Sequence, residues 1–443
     1  MSLLESLLTT APEPAPWQAG RDANRAIVQA QGLPNRGVEN WKYTALRALE
    51  GKTFAAIAPS VSVIQPEDLS DALPDGDHPL ATSHRLVFVD GRFAPALCHG
   101  DNQSHVVVKP LSELAGDDLD RLSEPLGQQF SGVDEGFAAL NTILASDGAA
   151  IHVSAASDDL SSPVVELLFL ETGAENSAGQ AAATAVRNVV HVDAGAELTL
   201  LERHVVLGGS EAQGPGGLIN SVGQIFLAEN ATVNHLRLPT LSPTTALISR
   251  ADVNLKAGAN YACNGLDISG ELVRHDLNVQ MEGEGAHGAL AGVYAPNGKT
   301  HVDIHCKIDH RLPNATSSQD FRGVMMEASR AVFNGKVVVR EGADGTDASQ
   351  SNANLLLSDN AEIDTKPELE IYADDVKCAH GTTVGALSED QLFYLTARGI
   401  EPEIGRQMLT TAFCREILET IPSESLRDHA LAQLENHLQE TSS

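Results

Sequence analysis

The amino-acid sequence predicts a mainly β protein in which a long β-solenoid lies between helical segments at the two ends of the chain. Short runs rich in β-branched residues, such as 189–192 and 336–339, follow one another through the middle of the chain. Small-residue turns such as 194–196, 229–231 and 257–259 separate these runs, and the first four turns are roughly 27 to 35 residues apart, a spacing typical of solenoid coils. The aromatic content of only 4% also fits a narrow interior filled by aliphatic side chains.

Residues 1–84 are predicted to form an N-terminal helical segment with a linker to the core. Residues 21–31 are rich in helix formers, and Gly32 and Pro34 end that stretch. Helical spacing resumes at residues 41–49. The first 17 residues contain no basic residue and no long apolar run, so we expect no secretion signal there.

Residues 85–385 are assigned to the β-solenoid core, because the β-rich runs begin at Arg85 and good helix candidates are nearly absent as far as the last turn. Stacked coils would bury a continuous apolar column. This arrangement explains the regular spacing of the turns better than a β-sandwich does.

Residues 386–443 are predicted to form a C-terminal helical domain. Ser388 and Gln391 have the spacing of a capping box, and Gly399 ends the helix that follows. The next helix carries an apolar stripe that includes Ile404, Met408, Leu409, Ala412, Phe413 and Ile417, and the last one carries Leu426, Ala430, Leu434 and Leu438. Such stripes predict either packing within a helical bundle or a docking face for a partner protein.

The overall charge excludes several classes of partner. Lys and Arg number 29 against 60 Asp and Glu, which gives a formal net charge of −31. A potential of that sign repels nucleic acid and anionic lipid, so we expect neither as a partner. No stretch is apolar enough to predict a membrane span. The five cysteines are far apart and form no CxxC pair, a pattern that suits a reducing cytoplasm better than disulfides or structural zinc.

Two glycine-rich motifs resemble nucleotide-binding loops. Residues 283–288 match GxGxxG, but Gly292 and Pro296 interrupt the helix that a dinucleotide site requires. Residues 298–300 resemble the end of a phosphate-binding loop, yet Gly292 is one residue too far away and a strand-like run follows. The sequence therefore favours turns over nucleotide sites, and it contains no GxSxG, HExxH or other catalytic constellation.

Two polar concentrations could bind metal. Alternation places His301, Asp303, His305, Lys307 and Asp309 on one strand face, where the central lysine would repel a cation and favours a solvated or interfacial face.

The second concentration contains Cys378 and His380, which share a face of an extended strand. A thiolate and a neutral imidazole are a plausible ligand pair for iron or for a sulfur-carrying intermediate, whereas the structural alternative is a packed cysteine beside a hydrogen-bonded histidine.

Several of these segments together resemble the SufB/SufD family of iron–sulfur cluster assembly scaffold proteins. The resemblance is carried by residues 347–352, 355–358, 364–371, 374–381 and 391–400, by the N-terminal motif at 36–44 and by Phe333-Asn-Gly-Lys336. Residues 376–378 and 380–385 are more similar to the SufD branch than to the SufB branch. No motif between residues 50 and 180 contributes to the resemblance.

The resemblance implies a right-handed parallel β-helix and a non-catalytic subunit of the SUF complex. It implies pairing with SufB through the β-helix core and with the ATPase SufC through the C-terminal helices, with Ile404, Met408, Phe413 and Ile417 as expected docking residues. His380 would act at the site of the nascent cluster, as a transient iron ligand, with Cys378 beside it. No cofactor is expected to bind tightly to this chain alone, because the cluster would form transiently at the SufB interface.

The sequence alone leaves open two alternative functions and one question about assembly. One alternative is a carbohydrate-active β-helix enzyme of the polyuronate lyase or hydrolase type, although a charge of −31 would repel a polyanionic sugar. The other is a passive structural subunit that never contacts a cluster. The sequence also leaves open whether the isolated chain forms a homodimer.

Overall fold

The computed structural model describes residues 2–11, 17–55, 64–72, 80, 82–100, 105–116, 125–156, 162–172, 179–207 and 216–441. Within these residues the chain forms a parallel β-solenoid flanked by N-terminal and C-terminal helices, which confirms the predicted fold class. Parts of the predicted N-terminal linker, at 56–63 and 73–79, lie outside the described residues. No helix in the described part of the chain is both long and apolar enough to cross a membrane.

The strands are Phe54–Ala55 (β1), His84–Val89 (β2), Arg92–Phe93 (β3), Val106–Pro110 (β4), Ala149–Val153 (β5), Val164–Glu171 (β6), Ala181–Val192 (β7), Glu197–Val206 (β8), Gly217–Leu227 (β9), Thr232–Arg237 (β10), Ala246–Leu255 (β11), Asn260–Asp267 (β12), Leu272–Met281 (β13), His287–Tyr294 (β14), His301–His310 (β15), Thr316–Met325 (β16), Arg330–Val339 (β17), Asp347–Leu356 (β18), Glu362–Ile371 (β19) and Lys377–Gly385 (β20). The described helices are Leu3–Leu8 (α1), Gln18–Gln31 (α2), Arg47–Glu50 (α3), Leu69–Ala72 (α4), Gly136–Leu144 (α5), Glu389–Thr396 (α6), Pro402–Leu418 (α7) and Glu424–Thr441 (α8).

The chain alternates between two parallel sheets, so that each coil of the solenoid adds one strand to each sheet. The odd-numbered strands from β5 to β19 form one sheet, and the even-numbered strands from β6 to β20 form the other. At the N-terminal end, β4 pairs antiparallel with β5 and β3 pairs antiparallel with β2. At the C-terminal end, β19 and β20 are the last strands of their sheets. We call the end formed by these two strands the open end.

Parallel pairing keeps equivalent residues aligned from one coil to the next, and side chains alternate between the interior and the outer faces. The interior is packed mainly with aliphatic and aromatic side chains, such as Val233, Tyr261 and Phe321. The turns between coils are tight. Gly258 has a φ of 64°, and a Cβ there would lie 2.3 Å from the Asn230 Oδ1 of the previous coil, so this turn requires glycine.

A helix inside the predicted core corrects one expectation from the sequence. Helix α5 packs with α2 against the outer face of the odd-numbered sheet, where Phe137, Leu140 and Ile143 join Val189 and Val222 in one buried cluster. All nine of its residues are buried. The helix therefore has no polar face, and the periodicity that identifies a surface helix is missing from its sequence.

The C-terminal helices cover the outer face of the even-numbered sheet. Ser388 caps α6 through a hydrogen bond from the Gln391 backbone amide, as the sequence predicts. Leu434 of α8 and Ile417 of α7 belong to a buried cluster that also contains Leu236 and Val293 of the sheet. The helices are therefore packed onto the solenoid along its side rather than across its open end.

Candidate functional site

The open end leaves β20 exposed and β19 partly exposed. Only Cys378 among the nine residues of β20 is even partly buried, whereas the equivalent strands deeper in the solenoid are largely buried. Several large apolar side chains are exposed here, including Ile371, Tyr372 and Val384. An unpaired strand edge beside exposed apolar side chains is a surface that proteins normally cover.

The structure places both predicted site residues on the inward-facing side of β20. Cys378 pairs with the buried Ala348, and His380 pairs with the buried Gln350, one strand below. Both side chains therefore belong to interior rows of the solenoid, but they lie in its last coil, where His380 is exposed. Burial, followed by the charge of Asp347, raises the pKa of the Cys378 thiol, so its thiolate form is disfavoured.

His380 ends a row of inward positions that runs through the even-numbered sheet. The row consists of Leu200, His235, Cys263, Leu290, Gln319, Gln350 and His380. Neighbouring strands are about 4.8 Å apart, so Cys263 lies roughly 19 Å below His380. The polar members form two groups, His235 with Cys263 and Gln319 with Gln350 and His380, and Leu290 separates the two groups.

A cluster of buried ionisable groups surrounds the deep end of this row. His235 contacts the Tyr261 hydroxyl through Nδ1 at 2.9 Å and approaches Glu202 through Nε2 at 3.4 Å. Glu202 also contacts His204 at 2.8 Å. A second branch joins Asp267 to Nε2 of His275 at 2.8 Å, and Nδ1 of His275 is 2.5 Å from the Ser249 hydroxyl.

Cys263 lies among these charges, and its acidity differs from that of the other interior thiols. Burial alone would raise its pKa, but the positive charges of Arg237 and His235 outweigh that effect and bring the pKa to about 7. Burial lowers the pKa of His235, yet Cys263 and Glu202 raise it to about 9. Cys306 has no comparable set of close partners, and burial raises its pKa well above the ordinary value.

This interior cluster was not predicted from the sequence. Its signal was present as polar residues at alternating positions in otherwise apolar strands, for example His235 and Arg237 in β10 and Cys263 and Asp267 in β12. Their proximity depends on the register between coils, which a single strand does not reveal. No group of three or more His, Cys, Asp or Glu side chains in the described ranges is arranged to hold a metal ion.

The polar face of β15 makes contacts within the chain. The N-terminal motif, residues 36–44, lies over it: Thr44 donates a hydrogen bond to Asp303 at 2.5 Å and contacts His301 at 3.1 Å. Arg274 binds Asp303 and lies 3.9 Å from the centre of the Trp41 ring. This agrees with the predicted interfacial face, and the partner is the protein's own N-terminal motif.

The two glycine-rich motifs occupy turns between strands. Gly285 has a φ of 66° in the turn before β14, and Gly298 has a φ of 57° in the turn before β15. A strand follows each motif, so no helix N-terminus is present at either place to bind phosphate.

The predicted docking residues of α7 divide into two groups. Ile404 and Met408 are about half exposed, and Met408 borders a groove of about 330 Å³ between α7 and α8. Ile417 is buried against the solenoid, and Phe413 packs partly on the same cluster. The four side chains therefore do not form one exposed stripe: Ile404 and Met408 are well exposed, Phe413 is partly exposed and Ile417 is buried.

Matches to known protein families and to individual proteins extend over nearly the whole chain. A family model described as the SUF system FeS cluster assembly SufBD core domain matches residues 174–413, and one described as the SufBD protein N-terminal region matches residues 8–164. The iron-sulfur cluster assembly protein SufD of Escherichia coli (strain K12) is 32% identical over 92% of this chain and 90% of its own length. An iron-sulfur cluster assembly SufBD family protein of Synechocystis is 31% identical over 96% of this chain and 92% of its own length. Protein ABCI7, chloroplastic, of Arabidopsis thaliana is 29% identical over 97% of this chain and 88% of its own length.

Proposed function

The chain belongs to the SufBD family of iron–sulfur cluster assembly proteins, and from that membership we propose that it is a non-catalytic scaffold subunit of the SUF complex. In this proposal it pairs with SufB through the open end and with the ATPase SufC through its C-terminal helices. The nascent cluster is the cargo, and it forms transiently where His380 meets SufB. The free state of all five cysteines supports action in a reducing cytoplasm.

The observation that carries the proposal is the position of His380. A histidine on an interior row would normally be buried, but this one lies in the last coil and its side chain is exposed. A partner that covers the unpaired edges of β19 and β20 would therefore enclose the imidazole. A neutral imidazole nitrogen is a good iron ligand, whereas the Cys378 thiol, with its raised pKa, is the weaker candidate.

The test is the His380→Ala variant, co-expressed with SufB and SufC in a strain that depends on the SUF system. We expect the complex to assemble with unchanged thermal stability, because an exposed side chain contributes little to the fold. Cluster formation and growth should fail. Cys378→Ser, the matched variant on the same strand, should have a milder effect.

Full complementation by His380→Ala would refute the ligand role. Loss of function that arises only because the complex dissociates would give His380 a structural role. If the complex assembles from wild-type subunits but no iron or sulfide is ever associated with it, the alternative of a passive structural subunit is correct.

The docking of SufC is proposed for the exposed part of α7. Met408→Asp places a charge beside the groove between α7 and α8 without disturbing the buried cluster below. Leu312→Asp, at a similarly exposed apolar position on a turn of the solenoid, is the control. We expect SufC to co-purify with the control and not with Met408→Asp, and equal recovery of SufC with both variants would contradict the assignment.

In the absence of SufB, the same open end could pair with a second copy of the chain, since two identical open ends can meet about a twofold axis. Size-exclusion chromatography with light scattering would show a dimer that SufB displaces. The alternative of a polyuronate-active enzyme gains no support, because none of the relatives named above is described as a carbohydrate-active enzyme.

A further inference from the structure

A ladder of side-chain amides lies directly below His380. Gln319 donates through Nε2 to the backbone carbonyl of Lys336 at 3.3 Å, and Gln350 donates through Nε2 to Oε1 of Gln319 at 3.1 Å. Gln319 and Gln350 are 1% and 4% exposed, and with His380 they occupy three successive positions of one row. The ladder therefore runs along the solenoid axis toward the open end.

The direction of the ladder is fixed at its base. A backbone carbonyl can only accept, so Gln319 must turn its Nε2 toward Lys336 and its Oε1 toward the next coil. That oxygen in turn selects the Nε2 of Gln350. The Oε1 of Gln350 is then left to accept the next hydrogen bond, and it is buried with no partner in the part of the chain that the structure describes.

A buried amide oxygen is nearly always hydrogen-bonded, so an unpartnered one at the end of a ladder indicates a missing donor. The next position in the row is His380, and the structure gives its ring no hydrogen-bond partner among the described residues. A neutral imidazole always carries one N–H, which makes it a suitable final donor.

We propose that Gln350 is a positioning residue: when the exposed ring of His380 turns inward along its row, Oε1 of Gln350 accepts the ring N–H. The bond fixes one tautomer of the imidazole and directs the lone pair of the other ring nitrogen out of the open end. Hydrogen bonds of this kind orient the histidine ligands of metal sites. This inference rests on the proposed role of His380, to which it adds a means of presenting the correct nitrogen to the cluster.

The test is ¹⁵N NMR of the full-length chain labelled at histidine, without iron or sulfide. The spectrum is recorded at about pH 8.5, because tautomers are compared in the neutral form of histidine. The His380 signals are assigned by their absence from His380→Ala. We expect one dominant tautomer in the wild type and, in Gln350→Met, a ratio of tautomers that falls about fivefold or more, because the acceptor is lost.

Two further variants separate positioning from simple packing. Gln350→Glu keeps an acceptor of the same length for the His380 N–H but loses the Nε2 donor toward Gln319, so it should retain the wild-type tautomer at a cost in stability. Asn352→Leu removes a buried amide from the neighbouring inward row of the same strand and should leave His380 unchanged. If Gln350→Met does not fold, the wild-type and Gln350→Glu spectra still decide the question.

Averaged tautomers in the wild type, or an unchanged ratio in a folded Gln350→Met, would overturn the inference. This outcome is distinct from failure of the proposed function, since the measurement needs no cluster. A fixed tautomer together with full complementation by His380→Ala would uphold the hydrogen bond and refute the role of His380 in assembly.

Discussion

The two ends of the solenoid are built from the same coil but are finished differently. At the N-terminal end, every residue of β2 is buried, and β3 and β4 add antiparallel strands beyond the parallel coils. Residues such as Ile64 and Leu69 pack over β2 in a buried cluster. At the open end, nothing in the described part of the chain continues either sheet beyond β19 and β20. A solenoid end that lacks a cap is prone to pairing, and this difference is why we propose the open end as the place of pairing.

The largest effect on stability is expected at the N-terminal end. Glu166 is fully buried between Arg85 at 2.5 Å and Arg203 at 2.9 Å. Glu166→Ala would leave two buried guanidinium groups without this carboxylate, which costs about 3–5 kcal/mol of the free energy of unfolding. Urea denaturation measures this loss.

The matched control is the ion pair between Glu39 and Lys366 of β19, at the open end. Glu39 is largely exposed there, and the two atoms are 3.0 Å apart. Glu39→Ala should lower the free energy of unfolding far less than Glu166→Ala does, because water screens an exposed pair. Equal losses from Glu166→Ala and Glu39→Ala would contradict the difference between the two ends.

A second prediction tests whether the interior stays dry close to the open end. His310 lies on the inward row that ends at Ile371, and its Nε2 contacts the Ser317 hydroxyl at 2.8 Å. Burial lowers its pKa to about 4, although Asp309 acts in the opposite direction. Above the ordinary pKa of about 6.5 the ring is neutral in both the folded and the unfolded chain, so it adds no pH dependence to the free energy of unfolding there.

As the pH falls from about 6.5 to about 4, the unfolded chain binds a proton that the folded chain does not, and stability is lost over this window. The loss amounts to about 3 kcal/mol at most. His310→Gln should remove this part of the pH dependence of unfolding, while substitution of the exposed His99 by Gln should not. If the dependence of the free energy of unfolding on pH is the same in His310→Gln as in the wild type, His310 contributes none of it. That result would show that water reaches this position from the open end.

The sequence predicted the solenoid because its turns recur at coil spacing and because β-branched runs lie between them. It also predicted the cap at Ser388 from local side-chain chemistry. Helix α5 was missed, because all of its residues are buried and its mostly apolar sequence has no polar face to mark a helical period. Alternation within β20 predicted that Cys378 and His380 lie on one face of the strand. It did not predict whether that face points into the solenoid.

Which side of a strand points inward depends on how successive coils close on each other. For the same reason, the row that joins His380 to Gln350 and Cys263 follows from interstrand register and was not accessible from any one segment. The burial of Ile417 in the docking stripe has a similar origin: helical spacing shows which residues share a face, but it does not show whether the solenoid already covers that face.

The smallest effect on stability, with the clearest effect on assembly, is expected for Val384→Lys at the open end. Val384 is 49% exposed and lies on the inward row that contains Asn354 and Gly323. The lysine can extend into water in the isolated chain, so the free energy of unfolding should change by less than about 0.5 kcal/mol. A partner that covers β20 would instead bury an unpaired ammonium group, which is strongly unfavourable.

The measurement compares Val384→Lys with Leu312→Lys, at an apolar position of similar exposure on a turn of the solenoid. Association with SufB should weaken by about tenfold or more for Val384→Lys only, a change of about 1.4 kcal/mol. Because both variants should unfold like the wild type, the loss can be assigned to the contact surface rather than to the fold. Wild-type affinity for Val384→Lys would show that the partner does not cover β20, and the proposed place of pairing would then be wrong.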